Sequence, residues 1–117
     1  MAEIQVSSTK PTVRTRICAF DDLAEDEGVR VDLPGHPPLA VWVVGDAAFV
    51  TDDTCTHGQA SLIEGGTQEG FVIECGLHLG AFDIRDGSIA SVPCTVPLRV
   101  YPTTVSDGEV YADLPAL

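Results

Sequence analysis

Apolar and polar residues alternate with a period of two over much of this chain, and the alternating runs are short. Residues 12–18 put Val13, Thr15 and Ile17 on one side and Arg14, Arg16 and Cys18 on the other, the period of a half-buried strand. Val29, Val31 and Leu33 alternate with Arg30 and Asp32. Residues 39–44 and 47–51 are apolar runs around Gly45-Asp46 and predict a hairpin. Residues 71–73 predict a short strand. Residues 81–85 and 88–90 flank Asp86-Gly87, a type I′ turn signal, and residues 98–105 and 109–114 flank Ser106-Asp107-Gly108, a third hairpin. Residues 34–38, Pro-Gly-His-Pro-Pro, read as a loop. The acidic residues 21–27 fit a solvated face with room for one helical turn. Many short strands at this spacing predict an all-β sandwich or small barrel.

Residues 52–70 break the rhythm, being rich in Gly, Thr, Asp and Gln. An irregular stretch of that length inside a compact domain is usually functional. With 117 residues the chain is sized for one domain, and its 44% hydrophobic content supplies a core. Six basic against 18 acidic side chains give a net charge of −12, which argues against nucleic acid or an anionic membrane as partner, because both demand a basic face. No apolar run approaches the 18 or so residues of a membrane span. No secretory signal is visible either, so the cytoplasm is the expected compartment.

The irregular stretch begins with Cys55-Thr56-His57 and ends just before Cys75-Gly76-Leu77-His78. Each half offers one thiolate and one imidazole, and each follows a predicted strand. Two soft sulfurs and two neutral nitrogens suit either tetrahedral zinc or a 2Fe–2S centre with one Cys₂ iron and one His₂ iron. A common zinc pattern puts two cysteines in one half and two histidines in the other. Here each half mixes the types, as a two-iron centre requires when both loops contribute to each iron.

These boxes, Cys55-Thr56-His57-Gly58 and Cys75-Gly76-Leu77-His78-Leu79-Gly80-Ala81-Phe82-Asp83, resemble the two ligand boxes of Rieske proteins. The gap between them and the chain length resemble the small Rieske-type ferredoxins of bacterial ring-hydroxylating oxygenases. The resemblance implies a Rieske fold: an antiparallel β-sandwich base (residues 1–50 and 91–117) carrying a small cluster-binding β subdomain of two ligand loops (about 51–90), all within one domain, 1–117. It implies that Cys55 and Cys75 hold the inner iron of a 2Fe–2S cluster, and His57 and His78 the outer one. The implied function is electron transfer, without catalysis, from a flavin-dependent reductase to a terminal oxygenase acting on an aromatic or similar substrate. The expected carrier is monomeric. Alternatives are the small subunit of a nitrite reductase-type enzyme and a zinc-stabilised interaction module.

Respiratory Rieske proteins carry an extra cysteine in each box, and the matching positions here are Ala60 and Leu77. They also place hydroxyls where this chain has Gly80 and Phe82. Both departures point to the oxygenase-ferredoxin branch and to a potential near the low end of the Rieske range, about −150 to +300 mV. Replacing two thiolates by neutral imidazoles raises the potential, because the oxidised cluster is then neutral rather than dianionic. Asp52 and Asp53 are the acidic residues nearest Cys55 and the first candidates for a charged docking rim, followed by Glu64 and Glu69. The close-contact tip is expected to be uncharged, through Gly58, Gln59, Leu79 and Pro93. Cys18 and Cys94 read as structural thiols, His36 as a surface loop residue and Trp42 as core.

Overall fold

The computed structural model describes residues 11–25, 27–56, 60–76, 80–91 and 96–117. The described residues form eleven strands in three antiparallel sheets. The first sheet orders β1 (Thr12–Ala19), β11 (Glu109–Pro115) and β10 (Thr103–Ser106). The second orders β2 (Val29–Val31), β3 (Leu39–Val44), β4 (Ala47–Asp52) and β9 (Val100–Tyr101). The third orders β5 (Thr67–Glu69), β6 (Val72–Glu74), β7 (Ala81–Asp83) and β8 (Ile89–Ser91). A four-residue helix, α1 (Leu62–Gly65), precedes β5. The expectation of an all-β fold of short antiparallel strands holds.

Strand β3 explains how the sheets stack. Its run Leu-Ala-Val-Trp-Val is buried throughout, as a strand covered on both faces must be. Leu39 and Val41 join β4's Ala48 and Val50 in one core with Ile17, Val110, Ala112 and Leu114 of the first sheet. Ala40 and Trp42 turn the other way, into a second core with Leu62, Ile73, Phe82, Ile84 and Leu98. The middle sheet is therefore shared between two cores. Trp42 is core, as expected, and its indole N–H donates to the Thr51 hydroxyl at 3.1 Å.

Four local readings need correction. In β1, Ile17 and Cys18 are both buried while Val13 is 53% exposed. The pairing with β11 slips between Arg16 and Cys18, and such a bulge carries the following residues onto the opposite face. Residues 98–105 are not one strand. The chain pairs with β4 through Tyr101, then with β11 from Thr103, and it changes sheets at Pro102, which has no N–H for a ladder. Asp86-Gly87 does not form a type I′ turn, which needs two positive φ values; Gly87 alone has one there (80°), and the Gly87 N–H closes onto the Asp83 carbonyl. The type I′ signature lies instead at Asp107-Gly108, with φ of 52° and 77°. The helical turn begins at Phe20 and runs only to Asp22.

Residues 52–70 also hold more structure than their composition suggests, since α1 and β5 both lie there. In β5 the inward residue is Gln68, 6% exposed, whose amide N–H₂ donates to the carbonyls of Val43 and Gly70. A polar residue at the buried position erases the alternation by which a strand is recognised. Cys18 packs in the first core, and burial holds its thiol above the ordinary cysteine value.

Candidate metal centre

The two cysteine boxes sit at the ends of two loops with the same closure. In the first, the Cys55 N–H donates to the Ala60 carbonyl at 2.8 Å, and Thr54 bridges to Ser61. In the second, the Cys75 N–H donates to the Gly80 carbonyl at 2.7 Å, and Glu74 pairs with Ala81. Each loop thus holds its cysteine at the entry and returns five residues later. Both cysteines are buried, 0% and 1% exposed, in the second core, where they share packing with Trp42, Leu62, Ile73 and Phe82. His57, Gly58, Gln59, Leu77, His78 and Leu79 lie outside the described residues, as do Pro93 and Cys94.

The loops are locked together through backbone. A Cβ placed on Gly76 would overlap the Gly65 carbonyl oxygen and stand 2.9 Å from its carbonyl carbon. One placed on Gly66 would meet the carbonyls of Leu62 and Glu74 at 2.6 and 2.8 Å. The second loop therefore rests on the end of α1, the helix that follows the first loop, and only glycine allows the approach. Helix α1 is set in turn by its N-cap, where the Ser61 hydroxyl accepts from the Glu64 N–H at 3.1 Å. A third segment joins through the Thr56 hydroxyl, which donates to the Val96 carbonyl at 2.7 Å.

The donor set fits an iron–sulfur group on the chemistry of the cysteines themselves. Anionic sulfur in an apolar, water-excluded core is costly unless it is paired or bound to metal. Here two cysteines converge from separate loops into one core, and as thiolates they would need a metal there. Gly80 and Phe82 are also buried there, and neither brings a hydroxyl to a sulfur.

The Rieske [2Fe-2S] domain signature matches residues 13–102. The chain belongs to the Rieske [2Fe-2S] family. It is 47% identical over 100 residues to the ferredoxin component of the p-cumate 2,3-dioxygenase system of Pseudomonas putida, covering 86% of this chain and 85% of that one. The ferredoxin of Sphingomonas yanoikuyae B1 superposes with a TM-score of 0.83 at 42% identity, covering 88% of this chain and all of the other. The ferredoxin in the complex of reduced oxygenase and oxidized ferredoxin of carbazole 1,9a-dioxygenase superposes at 0.81 with 48% identity, over 90% and 97% of the two chains. A Rieske-type 2Fe–2S cluster is accordingly this chain's cofactor.

The expected acidic rim of this Rieske chain is corrected at Asp53. Asp53 is 1% exposed and faces inward, where its carboxylate accepts from the Ser61 hydroxyl and the Ile63 N–H. Asp52 is half-buried and accepts from the Tyr101 hydroxyl at 2.6 Å. Burial, reinforced by that hydrogen bond, holds the Tyr101 phenol well above its ordinary value. Glu64 and Glu69 are exposed as expected, and so is Glu74, immediately before Cys75, which sequence reading passed over. Ser61, Gly65 and Gly76 were likewise missed as site-builders. The sequence does carry a signal for Ser61, because Ser61-Leu62-Ile63-Glu64 is a helix-capping pattern.

Proposed function

We propose that this chain is a one-electron carrier in which Cys55 and Cys75 ligate one iron of its 2Fe–2S cluster and His57 and His78 ligate the other. It accepts electrons from a flavin-dependent reductase and delivers them to a terminal oxygenase acting on an aromatic compound, working as a monomer in the cytoplasm. The observation that carries the ligand reading is the pair of equally closed loops, each burying one cysteine in the same apolar core. The carrier role is supported by the likeness, over most of the chain, to proteins named as ferredoxin components of dioxygenase systems. Within the single domain, the part we assign to cluster binding spans about 51–90, and its side chains fill most of the second core.

Bound in this site, the cluster supplies reversible one-electron storage. The chain's own residues do the rest. Leu62, Ile73, Phe82 and Ile84 exclude water around the thiolates, which limits the reorganisation that accompanies a change of charge. The Gly65–Gly76 backbone contact fixes the spacing of the two loops. The absence of a hydroxyl at Gly80 and Phe82 leaves the potential low, since donors to cluster sulfur would favour the reduced form. No helix among the described residues is long and apolar enough to cross a membrane.

The test is composition and spectroscopy of the purified protein. Two irons and two acid-labile sulfides per chain are expected. The reduced form should give a rhombic EPR signal with average g below that of all-cysteine ferredoxins. Cys55→Ala and Cys75→Ala should each abolish it. Stoichiometric zinc, or a signal surviving either substitution, would overturn the assignment.

A further inference from the structure

The root of the first ligand loop contains a buried charge that the carrier function does not by itself require. Asp53 is 1% exposed. Its N–H donates to the Pro38 carbonyl at 3.0 Å, and its carbonyl accepts from the Leu62 N–H at 2.7 Å. Its carboxylate accepts from the Ile63 N–H at 2.9 Å and from the Ser61 hydroxyl at 2.7 Å. The Arg30 guanidinium stands 3.8 Å from the same carboxylate, and also contacts Asp32 at 3.4 Å and Glu64 at 3.8 Å. The two loops are held differently. The second is anchored by a β ladder, with Ile73 opposite Phe82 and Glu74 opposite Ala81. Among the described residues the first has one isolated bridge, Thr54 to Ser61, and the carboxylate takes the place of a ladder.

We propose that Asp53 is a positioning residue for the first ligand loop and that the Asp53–Arg30 pair sets part of the cluster's reduction potential. This rests on the reading of Cys55 as a ligand. Asp53 lies two residues before Cys55, so their Cα atoms are at most about 7 Å apart. Its carboxylate is shielded from solvent, whereas the side chain of Arg30 is 37% exposed and shares its charge among three carboxylates. The negative charge is therefore undercompensated on the side facing the core, and it opposes the addition of an electron. A unit charge about a nanometre away, at an effective dielectric of about 20, changes a one-electron equilibrium on the order of tenfold. Tenfold corresponds to about 59 mV for a one-electron couple.

The experiment is voltammetry of holoprotein carrying Asp53→Asn, Asp53→Ala or Arg30→Gln, with iron, sulfide and EPR measured on each. Asp53→Asn keeps an acceptor for the Ile63 N–H and removes the charge, so the potential should rise by about the tenfold equivalent. Arg30→Gln should lower it by less, with normal iron content, because among the described residues Arg30 donates a hydrogen bond to Asp32 and none to the loop backbone. Asp53→Ala removes the anchors of Ser61 and Ile63 and should lose iron. Potentials that do not move, or that move in the same direction for Asp53→Asn and Arg30→Gln, would overturn the electrostatic role. Full iron loading in Asp53→Ala would overturn the positioning role. Should Asp53→Asn fail to load, Arg30→Gln still tests the sign. A wild-type protein without a Rieske signal would instead sink the ligand assignment, so the two failures are distinguishable.

Discussion

Gly76 and Gly65 offer a matched pair of substitutions across one contact. Gly76→Ala would drive a methyl group into the Gly65 carbonyl, overlapping its oxygen and standing 2.9 Å from its carbon. Both sides of that contact are backbone, so no side-chain rotation can relieve it. The second loop would have to retreat from α1 by on the order of 1 Å, in an interior packed as tightly as a crystal. Metal sites tolerate displacements of only about 0.2 Å in ligand distance. Overpacking of a core costs about 1–3 kcal/mol even where side chains can adapt. With nothing able to adapt here, about 3 kcal/mol falls on the geometry of the two loops, a factor of roughly a hundred in cluster retention at 1.4 kcal/mol per tenfold. Gly65→Ala is the control. A Cβ there meets nothing within 4 Å, and alanine favours helix over glycine by about 0.8–1 kcal/mol. The assay is iron and sulfide content after anaerobic purification, followed by the rate of iron loss to a chelator. Gly76→Ala should lose iron rapidly or never load, and Gly65→Ala should match the wild type. Equal iron retention in the two variants, or greater loss in Gly65→Ala, would refute the claim that this backbone contact sets the loop spacing.

Two further outcomes follow from charges in and around the site. Because burial and the bond to Asp52 raise the Tyr101 pKa, the folded chain keeps a proton that the unfolded chain releases above about pH 10. Stability is then full below that pH and falls by up to about 1.4 kcal/mol per unit above it. Tyr101→Phe should cost about 1–2 kcal/mol at neutral pH by leaving Asp52 without its donor, yet flatten the alkaline decline. Urea melts from pH 7 to 11 that show the same alkaline slope in both proteins would contradict this. For docking, the rate of reduction by the reductase should fall steeply as salt rises to about 0.5 M, where the screening length shrinks to a few ångströms. The fall should be shallower for Glu64→Gln with Glu69→Gln, while Asp53→Asn, being buried, leaves the slope unchanged. A rate indifferent to salt would show that the net charge of −12 does not steer this encounter.

What the chain by itself determined was everything carried by near neighbours in sequence. The two mixed Cys/His boxes are stated by spacing alone, and so is their family. The β3–β4 and β10–β11 hairpins follow from Gly45-Asp46 and Asp107-Gly108, because a two-residue turn is chosen by the φ angles its own residues accept. Ser61-Leu62-Ile63-Glu64 announces a capped turn in the same local terms. The remaining features depend on partners distant in sequence. Residues 98–105 look like one strand until Tyr101 pairs with Val50 and Thr103 with Ala112. Cys18 reaches the core only because β1 slips against β11. Thr67–Glu69 pairs locally with Val72–Glu74, but its inward Gln68 is tolerated in the core because its amide finds the Val43 carbonyl, 25 residues away. Asp53 has the sequence appearance of a surface acid beside a ligand box, and the fold turns it inward because Ser61 and Ile63 hydrogen-bond its oxygens, with Arg30 3.8 Å away. Gly76 reads as an ordinary loop glycine until Gly65 arrives against it. Ligand identity and turn type are set by covalent geometry over a few residues, whereas burial, register and backbone approach exist only once segments far apart in the chain occupy the same space.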